Sequence, residues 1–135
     1  MSDTSSLPRD IGWGIGAAFV LHAIMIALAV AWAAFYSYVV EPGHDQAFYE
    51  AHAQVASPIV SVLAGGPVFY LVAFSLARRR GGGRAAWIAA ALYLLTDLAL
   101  FAAVGALLEA AVLYFLAGGA LKLGGTALGI KRARG

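Results

Sequence analysis

The chain has no cysteine, which removes disulfides, thiolate nucleophiles, Cys-ligated zinc and iron–sulfur clusters from consideration. Charge is scarce as well. Only 12% of the 135 residues are Asp, Glu, Lys or Arg, against 62% hydrophobic residues, whereas a soluble domain carries about 25% charge. So little charge cannot cover a water-facing surface, and lipid has to do it. No basic stripe runs along any segment, which removes nucleic acid as a partner. No His-Glu-x-x-His arrangement and no nucleophile–base spacing is present, so neither a catalytic, a cofactor nor a metal site is expected.

What is present is apolar length. A bilayer core takes about 20 helical residues per crossing, and four runs of that kind fill the chain. The fold expected is an all-α integral membrane protein, a single four-transmembrane-helix bundle over 11–130, with spans at about 11–39, 58–77, 85–104 and 107–130. A polar tail over 1–10 precedes it and a basic tail over 131–135 follows. The first run is too long for a signal-peptide core and has Asp3 and Asp10 before it, so it reads as a membrane helix. Trp13 near one end and Trp32, Tyr36 and Tyr38 near the other suit interfacial aromatic belts.

Between the first two spans, 41–57 holds the break Glu41-Pro42-Gly43 and then a polar stretch expected to form a short interfacial helix. Ser57-Pro58 looks like an N-cap followed by proline at the first helical position. The 78–84 segment is a basic, glycine-rich loop. A turn near Val104-Gly105-Ala106 is needed to divide the last apolar stretch, with Glu109 just beyond it and solvated.

Orientation follows from the basic residues. Arg78, Arg79, Arg80 and Arg84 in the loop, Lys131, Arg132 and Arg134 in the C-terminal tail, and Arg9 all fall on one side of a four-span chain. Retention of Lys and Arg on the cytoplasmic side puts both termini there, in a bacterial inner (plasma) membrane.

Polar residues within the spans are the candidates for function. His22 and Asp97 lie nine and ten positions beyond Trp13 and Trp87, roughly 13–15 Å deep at 1.5 Å per residue. An ionised aspartate mid-span costs about 2.5–3.5 kcal/mol, so Asp97 needs a partner. His22 is the natural one, with Thr96 and Tyr93 as alternatives. Gly65, Gly66 and Pro67 reach the same level and form a candidate kink, because proline removes a backbone donor. Lys122 is expected to snorkel toward the basic interface. A bridge from it to Asp97 is not expected, since folding at Gly105 places the two at different depths. Outside the bilayer, His44, Asp45, Glu50 and His52 could gather, but without a recognised metal spacing. Gly12, Gly16, Gly118, Gly125 and Gly129 are candidate helix-packing positions, as small residues let backbones approach in lipid.

No family motif emerges. In size and span number the chain resembles small multidrug exporters, fluoride channels, holins and accessory subunits, a likeness of topology alone, and it lacks the glutamate that small exporters carry within their first span. The first functional expectation is an accessory, assembly or structural subunit acting by helix association, as a homo-oligomer or with other membrane subunits. The alternative is a proton-linked small transporter or channel using Asp97 and His22. An enzyme ranks behind both.

Overall fold

The computed structural model describes the backbone of residues 7–103 and 109–135 and the side chains of 7–103 and 112–135. The turn expected at Val104-Gly105-Ala106, the Glu109 side chain and the tail around Asp3 lie outside the described residues. Four helices account for nearly everything else, and each is long and apolar enough to cross a membrane.

Helix α1 is Leu7–Phe35 and passes into a π-helical turn, Tyr36–Val40. It begins earlier than the polar tail suggests, because Pro8 suits a first helical turn, where its missing N–H loses nothing. Helix α2 is Gln46–Arg80, 35 residues without a break. The expected short helix followed by a new start at Pro58 is therefore corrected: Pro58 and Pro67 both lie inside one continuous helix. Two contacts explain its persistence. The Asp45 carboxylate caps the N-terminus by accepting from the Phe48 N–H at 2.9 Å. The end of α1 then braces the first turns, with Tyr36 stacked on His52 at 3.4 Å between ring centroids. Gly81, at φ 69°, ends α2 in the left-handed conformation that glycine adopts freely. Helix α3 is Arg84–Ala103 and α4 is Glu109–Arg134, so the basic tail is helical too.

Packing follows a parallel pairing. Helices α2 and α4 form the most extensive contact, α1 and α3 the next, and α1 also packs on α2. In lipid, apolar surface alone does not drive helices together, so close approach has to come from small residues and polar ties. The α2–α4 seam supplies it. A Cβ at Gly125 would run into the Gly66 carbonyl and one at Gly129 into the Tyr70 carbonyl, while one at Gly118 would lie 3.4 Å from Val62 Cγ2. Gly65 and Gly66 thus form the groove that α4 enters, beside Pro67, whose ring is exposed. The α1–α3 seam is built likewise from Gly14 against Ile88, with Ala86, Ala89 and Ala90 buried. Gly12 and Gly16 differ from the other candidates, for nothing comes within 4 Å of a Cβ at either.

One end of the bundle gathers the positive charge. The start of α1, the α2–α3 connection and the end of α4 meet there: Ile130 packs on Gly83, and Asp10 binds across three helices. Arg80 places Nη2 and Nε at 2.9 and 3.0 Å from one Asp10 oxygen, and Arg84 lies 3.7 Å from the other. Asp10 also sits in the first turn of α1, where the helix dipole favours an anion. Two arginines expected from the sequence to set charge topology therefore also clamp the bundle. Replacing Asp10 with Asn should lower stability by about 1–3 kcal/mol, the range for stranding a buried hydrogen-bonding partner. Thermal unfolding in mild detergent reads it, and an unchanged midpoint would show the clamp to be slack.

Candidate functional site

At mid-bundle, three helices bring one cation and one anion together. Lys122 of α4 is buried, its side chain 5% exposed, and its Nζ lies 3.3 Å from Oδ2 of Asp97 on α3. The same ammonium donates to Ser61 Oγ of α2 at 2.9 Å. The expectation that Lys122 snorkels away and does not meet Asp97 is corrected here. Its physical cause is the direction of side chains on a helix, which lean toward the N-terminus. Helix α3 runs away from the basic end and α4 runs back, so Asp97 leans toward the basic end and Lys122 away from it. Their backbones differ in height, and the lean of both side chains closes the gap. The lysine stem is guided by Gly65, whose missing side chain leaves room for it: a Cβ there would lie 2.9 Å from Lys122 Cγ.

Tyr93, one turn before Asp97, forms the floor. Lys122 Nζ lies 5.0 Å from the centre of its ring, a distance at which a cation is drawn to an aromatic face. His22 of α1 packs on the same tyrosine at 4.1 Å between centroids, and Phe69 meets it edge-on at 4.9 Å. Tyr93 and His22 thus belong to the cluster, but the expected pairing of His22 with Asp97 is replaced by His22 on Tyr93, a turn nearer the basic end. His22 Nδ1 donates to the Ala18 carbonyl at 2.8 Å, leaving Nε2 buried and, among the described residues, without a partner. Thr96 turns away, exposed, and donates to the Leu92 carbonyl of its own helix at 2.8 Å. Thr126, fully buried, donates to the Lys122 carbonyl.

The ion pair opens into a cleft of about 470 Å³ between α2, α3 and α4. Its walls carry Gln54, Ser57 and Ser61 on one side and Phe101, Tyr114 and Phe115 on the other. Lys122 lies at its base, and Asp97, with its side chain 27% exposed, faces the opening. Pro58 borders it too and has no N–H to offer the Gln54 carbonyl, which leaves a helical acceptor free at the wall. Ser61 escaped the sequence reading, although a signal existed. Gln54, Ser57, Ser61 and Gly65 recur at steps of three and four, a polar stripe along one face of an otherwise apolar helix.

The other polar candidates are engaged locally. His44 meets Glu41 at 3.3 Å, Gln46 donates to Glu50 at 2.6 Å, Asp45 caps α2, and the Trp32 indole N–H donates to His52 Nε2 at 3.1 Å. Among the described residues no three His, Cys, Asp or Glu side chains converge as metal ligands would. With Tyr36 and Phe48 these groups make an aromatic head on the α1–α2 hairpin. The contact of His22 with Tyr93 sets Ala103 level with about Trp32, so the head projects roughly two turns beyond the described end of α3.

Comparison with protein-family models, with curated proteins and with solved structures found no match.

Proposed function

We propose that the chain is a small proton-linked transporter or channel of a bacterial inner membrane, with both termini on the cytoplasmic side, in which the Asp97–Lys122 pair is the working element. The observation carrying this reading is the placement of that pair. A buried charge pair that only glued helices together would be sealed, whereas this one ends a cleft with an amphipathic lining. Intramembrane ionisable residues that border a cavity mark ion and substrate paths.

The chemistry follows from the charges. With Asp97 ionised the pair is neutral overall and holds itself together. A proton arriving from the cleft neutralises the carboxylate, and the Lys122 ammonium, still held by Ser61, becomes an uncompensated cation at the base of the cleft. The cleft then accepts a small anion with an apolar part, matched by Phe101, Tyr114 and Phe115. Loss of the proton restores the pair and expels the anion. His22, packed on the Tyr93 ring, continues the polar line toward the basic end.

The test is proton uptake by pyranine-loaded proteoliposomes under an inward pH gradient, with benzenesulfonate outside as a small anion with an apolar part. Wild-type protein should acidify the lumen above the protein-free rate, and Asp97→Asn should fall to that background while keeping its helical content. Wild-type protein indistinguishable from empty liposomes would defeat this reading. The second reading, an accessory subunit working by association, would then take precedence, favoured by the projecting aromatic head with Tyr38 82% exposed.

A further inference from the structure

A second concavity, away from the ion pair, lies between α1 and α2 at the basic end. Its volume is about 740 Å³. Arg9 and Arg79 stand at its mouth, Gly12 and Gly16 form a floor without side chains, and Val20 and Leu71 end it. Apart from the arginines and Ser75 the lining is apolar or aromatic. Among the described residues neither Arg9 nor Arg79 has a carboxylate partner, because Asp10 is taken by Arg80 and Arg84. Arg78 points elsewhere, over the Phe74 ring at 5.5 Å.

We infer that this groove is a binding site for one anionic phospholipid of the leaflet at the basic end, with its phosphate between Arg9 and Arg79 and an acyl chain along Gly12, Gly16 and Val20. Two observations choose this occupant. The charge is complementary: two unpaired cations sit at one end of an apolar trough. The length is that of a single leaflet. Arg9 to Val20 is 11 residues of helix, about 16 Å, half of a hydrocarbon core about 30 Å thick. A helix from a second copy would need a trough running the full span, and this one closes at Val20 and Leu71. The inference is independent of the ion pair and rests on the bilayer reading with the basic end at headgroup level.

Native mass spectrometry of the protein released from nanodiscs made of equal parts phosphatidylglycerol and phosphatidylcholine tests it. Retained lipid should favour phosphatidylglycerol on the order of 30-fold, since each arginine near the surface contributes about fivefold and the two factors multiply. The double variant Arg9→Gln/Arg79→Gln should lose the preference. Gly16→Leu, which fills the floor and leaves both arginines, should lower retention of both lipids at unchanged helicity. Equal retention of the two lipids by the wild type, a preference that survives in the double variant, or a dimer in place of the lipid adduct would each overturn the site. Protein that does not enter the nanodisc would instead overturn the bilayer reading, a separate outcome.

Discussion

Gly125→Ala should be among the most damaging single substitutions, because one methyl group falls where no side chain can move aside. A Cβ at Gly125 meets the carbonyl, main-chain carbon and Cα of Gly66, and all of these are backbone. Relief requires α2 and α4 to separate, and that strains the contact of Gly129 with Tyr70 and Phe74 one turn further on. Separation also pulls Lys122 from Ser61, which ties the same two helices at 2.9 Å. Overpacking of a tight interface costs about 1–3 kcal/mol and occasionally more, and the unyielding backbone puts this case at the upper end. Gly124→Ala is the control. Nothing lies within 4 Å of its Cβ, and alanine improves on glycine in a helix by up to about 1 kcal/mol. The two neighbours should therefore move the unfolding midpoint in opposite directions. Equal midpoints would mean that α2 and α4 do not meet as described.

Lys122→Met should be at least as costly, for a different reason. It leaves the Asp97 carboxylate in a low-dielectric site with neither its cation nor its strongest donor. Removing one partner of a buried pair costs about 3–5 kcal/mol, whereas replacing both with apolar or neutral groups is often close to neutral. The double variant Asp97→Asn/Lys122→Met should therefore recover most of the loss, and the four proteins together form a double-mutant cycle. Additive single effects would show that the 3.3 Å contact contributes little. The cycle reads stability and proton uptake tests the proposed transport, so the two roles are measured separately.

On the bilayer reading proposed above, segments and charges of this chain are legible from composition because lipid imposes coarse rules. Each span must satisfy its own backbone, and basic residues collect on one face. For that reason the four helices and the shared end of Arg80, Arg84 and the terminal basic residues are visible before any fold is known. The helical run through Ser57-Pro58 is less so. A capping serine before proline reads locally as a start, whereas the Asp45 cap and the contacts of Trp32 and Tyr36 with His52 hold one helix through it. Of the candidate packing glycines, Gly118, Gly125 and Gly129 enter the α2–α4 seam, while Gly12 and Gly16 open a groove instead. A small residue at helical spacing states that approach is possible, not which neighbour makes it.

The sequence by itself determined how many apolar helices there are, which residues are costly at mid-span, and that Asp97 needs a partner. Those properties belong to single residues and to the 1.5 Å rise of a helix. Tertiary structure alone decided that the partner is Lys122 rather than His22, that Ser61 completes the contact, and that a cleft reaches it. Depth along a helix is a one-dimensional quantity, but contact depends also on rotation about the axis and on the lean of each side chain toward its own N-terminus. Two residues at unequal heights on antiparallel helices can therefore meet, while His22, which depth alone sets beside Asp97, packs instead on Tyr93, a turn nearer the basic end.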